Sequence, residues 1–244
     1  MNKNIIWILL FLLTNVISHS ASSEEIFSIT QIDSFRKELN NKKGFDKIAS
    51  QLDLALRIME NDMHEAQILA NSALIEAQTT NNKNLEIRAY FTLGRISELL
   101  ENKDHSVAYY DSALIITEAS ANYWYKGEIL FRKGVIKHNH RDEITALEYY
   151  NASLQACRLS NNFKIMGSSY SMMGSIFRVN GLYDRAIEYI VNSKLNYEKA
   201  GFSEGNAWSA YLLGRIYSDL KLPEKALEYF QESLEIYIKL ASLD

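Results

Sequence analysis

The chain has 244 residues, a formal net charge of -4, ten glycines, one proline and one cysteine. That length is enough to bury a core, and the scarcity of proline with no alternating Val/Thr runs excludes a sheet fold in favour of an all-α one. An acidic balance without a basic block excludes general nucleic-acid binding, which needs a cationic surface to displace counterions. A single cysteine, Cys157, excludes an internal disulfide.

Residues 1–20 read as a secretory signal peptide. Lys3 supplies the positive start, Ile5 to Leu13 an apolar run, and Ser18 and Ser20 small residues suited to cleavage before Ala21. The run is short for a bilayer span and is interrupted by Thr14 and Asn15; the alternative is an uncleaved anchor extending to Ile17. Either way the remainder is expected outside the cytoplasm, in a secreted, periplasmic setting. Residues 21–44 are polar and mixed and predict one helix before the Asn40-Asn41-Lys42-Lys43-Gly44 break, placed as an N-terminal cap. Residues 45–80 predict two helices, Phe45 to Glu60 and Met63 to Gln78. Ala66 and Ala73 keep small positions there, and Leu54 stands where later copies have glycine.

From 81 to 244 the chain repeats itself every 40 residues. Gly94, Gly134, Gly174 and Gly214 share one register, and twelve residues after each come Ser106, Ala146, Ala186 and Ala226. A bulky column follows at Tyr110, Tyr150, Ile190 and Phe230, then a small one at Ala113, Ser153, Ser193 and Ser233. Glycine inside a helix costs roughly 1 kcal/mol against alanine, so four at one register imply close helix–helix approach. Helices are predicted near 84–101 and 105–118, 122–139 and 142–159, 162–180 and 183–200, and 203–220 and 223–241. Asp142 and Asn162 are expected N-caps, Asn180-Gly181 a turn, and Pro223 the start of the last helix, where a missing N–H is harmless.

Leu213, Gly214 and Tyr217, followed by Ala226, Phe230 and Ser233, resemble the tetratricopeptide repeat signature, with a 40-residue period in place of 34. The resemblance spans roughly residues 84 to 242 and implies an all-α, right-handed superhelical solenoid of antiparallel helix pairs. It also implies a concave groove lined by the first helix of each pair. Carried across residue by residue, the groove positions are Arg88, Phe91, Arg95 and Glu98, then Glu128, Phe131, Val135 and His138, then Ser168, Ser171, Ser175 and Arg178, and last Trp208, Tyr211, Arg215 and Ser218. Of these, Arg88, Phe91, Arg95, Phe131, Arg178, Trp208, Tyr211 and Arg215 are the candidate binding residues: cationic points with aromatic walls, fit for a peptide bearing an acidic residue or a free carboxylate.

No Ser-His-Asp set, phosphate loop or carboxylate pair is present, so no catalysis and no cofactor are expected. His138, Asn139, His140, Asp142 and Glu143 form only a fragment of a metal site, since histidines two apart on a helix diverge and zinc needs a third fixed ligand. Cys157 reads as a buried small residue. Asn151-Ala152-Ser153 matches a glycosylation acceptor, but Ser153 belongs to the packing column, which favours a bacterial source. The last helix, with Leu234, Ile236, Tyr237, Ile238 and Leu240 and then Leu243, is apolar nearly all round and predicts an exposed patch. The expected partner is therefore a peptide or protein, with a homodimer through the last helix as the second. A membrane enters only if the leader is uncleaved or the chain continues. Long repeats behind a leader also resemble the extracytoplasmic sensor regions of bacterial histidine kinases and diguanylate cyclases, which implies a truncated sensor region; an envelope assembly scaffold is the other alternative.

Overall fold

The computed structural model describes residues 29–242. Within them the chain is helical throughout, as α1 (Ile29–Asn41), α2 (Gly44–Ile58), α3 (Met63–Thr79), α4 (Lys83–Leu99), α5 (Lys103–Ser120), α6 (Tyr123–Asn139), α7 (Glu143–Ser160), α8 (Phe163–Val179), α9 (Tyr183–Ala200), α10 (Ser203–Asp219) and α11 (Pro223–Ala241). The leader and residues 21–28 of the expected N-terminal helix lie outside the described residues, as does Leu243. The predicted helices of the four repeats are all present, with ends within two residues of expectation.

The chain is punctuated every 20 residues, half the repeat. Asp62, Asn82, Asn102, Asn122, Asp142 and Asn162 each accept a hydrogen bond from the backbone N–H three residues on, which satisfies one of the otherwise orphaned donors of the helix that follows. One residue earlier the backbone turns left-handed, at Asn81, Glu101, Ala121, Arg141, Asn161, Gly181, Gly201 and Lys221. From Asn81 on, a single left-handed residue separates each helix from the next with no room for a loop, and as far as Asn162 a side-chain cap follows it. Sequence reading had only Asp142, Asn162 and the Asn180-Gly181 turn of this series.

Each helix packs on its successor. The first helices α2, α4, α6, α8 and α10 also touch one another in order, whereas among the described residues the backbones of the second helices do not approach each other. The first helices therefore form the inner layer of a solenoid and the second helices the outer one. Helix α1 covers the leading end, with Phe35 and Leu39 against the first core cluster and Arg36 bonded to Glu65 of α3 at 2.5 Å.

The glycine column sits in one repeated environment. A Cβ at Gly94 or Gly134 would enter the ring of Tyr110 or Tyr150, at Gly174 it would meet Ile190, and at Gly214 Phe230. What glycine admits is thus a bulky side chain sixteen residues on, laid flat over the first helix. The column of Ser106, Ala146, Ala186 and Ala226 is fully buried beside it. The hydroxyls of Ser153, Ser193 and Ser233 each donate at 2.8 Å to a first-helix carbonyl twenty-six residues earlier, those of Gly127, Gly167 and Ala207. Cys157 is buried under Gly127, and burial pushes its thiol up to about 12.

At the trailing end the apolar patch is smaller than expected. Leu234, Ile236 and Leu240 pack half-buried on the core cluster and Tyr237 is buried, which leaves Ile238 prominent at 59% exposure. The apolar stripe of α11 wraps back onto its own partner helix.

Candidate binding groove

The inner layer presents four columns of side chains, set by their distance from each repeat glycine. Six residues before it stand Arg88, Glu128, Ser168 and Trp208; one after, Arg95, Val135, Ser175 and Arg215; four after, Glu98, His138, Arg178 and Ser218. Eleven of these twelve are half-buried and Ser218 is exposed, so all three columns border solvent. The fourth column, three before the glycine, does not. Phe91 is 6% exposed, Ser171 3% and Tyr211 5%, and only Phe131 is half-buried.

That column turns into the stack, toward a neighbouring first helix at Phe91 and Ser171 and toward its own second helix at Tyr211. Phe91 meets Tyr125 of α6 edge-on at 5.5 Å and Tyr110 at 6.1 Å; Tyr211 packs on Phe230 at 5.9 Å. The indole N–H of Trp208 donates to Ser171 Oγ at 3.2 Å across α10 and α8. Phe91 and Tyr211 are therefore mortar of the stack, where aromatic walls were expected. Neighbouring first helices need apolar filling at their closest line.

Two of the arginines are engaged across first-helix seams, and Arg215 within its own helix. Arg88 of α4 bonds Asp53 of α2, and Arg178 of α8 bonds Asp219 of α10 at 2.7 Å. Arg215 donates to the hydroxyl of Tyr211 at 3.3 Å and lies 5.8 Å from its ring centroid. A guanidinium carries five N–H donors, so one such contact leaves donors for a second acceptor. Sequence reading missed Asp53, Tyr125, Arg132 and Lys164. Arg132 reaches Glu98 at 3.7 Å from a position two before Gly134, a column otherwise filled by Thr92, Met172 and Leu212. A lone charge in that column was the available signal.

The middle of the groove holds a half-buried carboxylate. Burial pushes Glu128 above the ordinary carboxylate range, against the pull of Arg132, the Asn162 amide, Arg95 and Lys164. Burial likewise pushes the Tyr125 phenol up to about 12, in spite of Arg88. Glu98 accepts from the Tyr110 hydroxyl at 2.8 Å, while the equivalent atoms one repeat on, Tyr150 Oη and His138 Nδ1, are buried without partners. Among the described residues no group of three or more His, Cys, Asp or Glu side chains is placed to hold a metal, and His138 and His140 converge on nothing.

Two family models described as tetratricopeptide repeat match the chain, over residues 166–239 and 87–118. No protein with a curated description matches it in sequence. Among solved structures, BtubC (BKLC) from P. vanneervenii is similar over 94% of this chain and 92% of its own, with TM-score 0.67 and 18% identity. The apo form of RapI is similar over 96% and 93%, with TM-score 0.63 and 14% identity. The apo form of the quorum sensor NprR from B. thuringiensis is similar over 93% of this chain and 63% of its own, with TM-score 0.66 and 15% identity. At these identities the likeness is one of fold.

Proposed function

Because the chain is a tetratricopeptide repeat protein, we propose that it is a non-catalytic binding module whose inner, first-helix face receives a peptide or partner protein bearing an acidic residue or a free carboxylate. One observation carries this reading. On the inner face five guanidiniums, Arg88, Arg95, Arg132, Arg178 and Arg215, meet four carboxylates, Asp53, Glu98, Glu128 and Asp219, in a chain whose overall charge is -4. A locally cationic inner face on an acidic protein attracts anions to that face, and the planar guanidinium fork matches a carboxylate. Phe131 and Trp208, both half-buried, supply the apolar contact beside it. The fold shared with NprR, a quorum sensor, agrees with a ligand-receiving role. The reading of residues 1–20 as a leader that delivers the module outside the cytoplasm belongs to the same proposal, and an N-terminus beginning at Ala21 on the exported protein is its check.

Capture from a library of immobilised peptides tests the groove. Peptides with acidic residues or a free C-terminus should be retained, amidated and neutral ones released, and the double variant Arg95→Ala/Arg215→Ala should lose about tenfold or more, as expected when charge-assisted hydrogen bonds are removed. Unchanged capture by the double variant would remove the inner face from the site.

A further inference from the structure

Helix α6 carries two charges where the other repeats have something else. Glu128 stands in a column otherwise filled by Arg88, Ser168 and Trp208, and Arg132 in one otherwise filled by Thr92, Met172 and Leu212. Residues four apart on a helix are neighbours on one face, so the two lie side by side on the inner layer. Both are half-buried, and both still border solvent.

Arg132 stands between two carboxylates. On one side its guanidinium reaches Glu98 of α4 at 3.7 Å, an ion pair too long for a hydrogen bond, and on the other lies Glu128. The two carboxylates are held unequally. Glu98 also accepts the Tyr110 hydroxyl at 2.8 Å, whereas Glu128 has the Asn162 amide beside it and is disfavoured as an anion by its own burial. Helix α6 packs on α4, α5, α7 and α8. From these, Arg95 of α4 and Lys164 of α8 attract the Glu128 carboxylate, and the Arg88–Asp53 pair lies beyond Tyr125. Asp111 and Glu118 of α5 are taken up by Lys133 and Lys126. Tyr125 and Cys157, the other titratable neighbours, are each pushed up to about 12 by burial and stay neutral.

We infer that Arg132 is the central anion-receiving group of the groove and that Glu128 is its internal occupant, which an acidic ligand displaces as Glu128 takes up a proton from solvent. The inference rests on the inner face as the receiving surface and adds to it a residue and a regulator. A ligand carboxylate on Arg132 would face an ionised Glu128 at close range, and the neutral acid removes that repulsion while keeping a hydrogen bond to give. Glu98 stays on its tyrosine. Ligand capture therefore raises the proton affinity of Glu128, and by reciprocity acid strengthens capture.

The probe is a randomised hexapeptide library ending in Asp with a free carboxylate, whose carboxyl groups stay ionised at about pH 5; the same library ending in Asn amide is the neutral control. Retention of the acidic library by the full chain should be about fivefold higher at about pH 5 than at about pH 8, the size of one removed charge repulsion across a groove in salt. Glu128→Gln should retain about fivefold more than the parent at the higher pH and equal it at the lower, which separates Glu128 from any imidazole titration at His138. Arg132→Gln should lose about tenfold at both pH values, as for a lost charge-assisted hydrogen bond, and Arg132→Lys, which keeps the charge, should lose less. Far-ultraviolet dichroism reports that the helices of each variant persist. Acidic peptides captured equally at both pH values, or equally by Glu128→Gln or Arg132→Gln and the parent, would overturn the inference and leave the groove reading standing. No retention by the parent at either pH would overturn both.

Discussion

The Ser193 hydroxyl donates to the carbonyl oxygen of Gly167 at 2.8 Å, tying the second helix of one pair to its first helix in the interior of the stack. The bond recurs at Ser153 and Ser233 with the same separation, so a column that sequence marks as merely small is also a row of interhelical bonds. Ala113 holds that register in the first regular repeat and has no hydroxyl to give. Ser193→Ala should lower unfolding free energy by about 1 kcal/mol, the net worth of one such bond. Ala113→Ser, placed opposite the carbonyl of Ile87 by the same register, should be neutral or stabilising. Urea denaturation of the two variants checks both, and a destabilising Ala113→Ser would show that the repeat's symmetry does not extend to that pair.

Gly134 and Tyr150 make the matching steric argument. A methyl on Gly134 would stand 2.6 Å from the Tyr150 ring, closer than real Cβ contacts come, and the ring is fully buried. Alanine gains up to about 1 kcal/mol of helix propensity, but overpacking a filled core costs roughly 1–3 kcal/mol. Gly134→Ala should therefore destabilise on balance. Adding Tyr150→Leu should recover part of the loss, because the smaller side chain vacates the clash. Denaturation midpoints of the single and double variants give the coupling, and independent, additive effects would contradict the contact.

The repeats were legible in the sequence because period is an arithmetic property, and the columns at Gly94, Tyr110 and Ala113 recur whatever fills the gaps. The groove was legible only in part. Phe91 and Tyr211 share a helix face with the solvent-bordering columns, only about 20–60° of rotation from them, and that small angle decides between wall and seam. The tilt of one first helix on the next fixes the rotation, and no residue pattern within a single repeat encodes it. The Arg88–Asp53 and Arg178–Asp219 pairs join different repeats, so the charge balance of the inner face appears only once the helices are stacked.

Glu128 gives the groove a pH signature. Its folded carboxylate is held above its ordinary 4.5, chiefly by burial. The folded state therefore binds a proton more readily than the unfolded chain, and this group's contribution to stability is present below 4.5 and lost as pH rises through the raised folded value. Glu128→Gln removes the buried charge while keeping an amide for Asn162. The variant should melt at a higher temperature than the parent at neutral pH, with the gap closing in acid below 4.5. Thermal melts at both pH values measure this. A variant less stable at neutral pH would mean that the attraction of Arg132, Arg95 and Lys164 outweighs the burial of Glu128.

The series of caps ends abruptly, and its end suggests a repair. At Asn162 the backbone has φ -79 and ψ 73, and the side chain closes on the N–H of Ile165. At Leu182, twenty residues on, φ is -88 and ψ 64, the same conformation, but a leucine 48% exposed offers no acceptor to the first turn of α9. Leu182→Asn should therefore supply a cap to a backbone already shaped for one and stabilise by about 1 kcal/mol, while Asn122→Ala, which removes a working cap from α6, should cost about as much. The two changes lie in different repeats and should add when combined. Chemical denaturation of the three proteins tests the pair of signs. A destabilising Leu182→Asn would mean that the apolar contact of Leu182 outweighs the cap, and the 20-residue punctuation would then carry packing as well as hydrogen bonding at that turn.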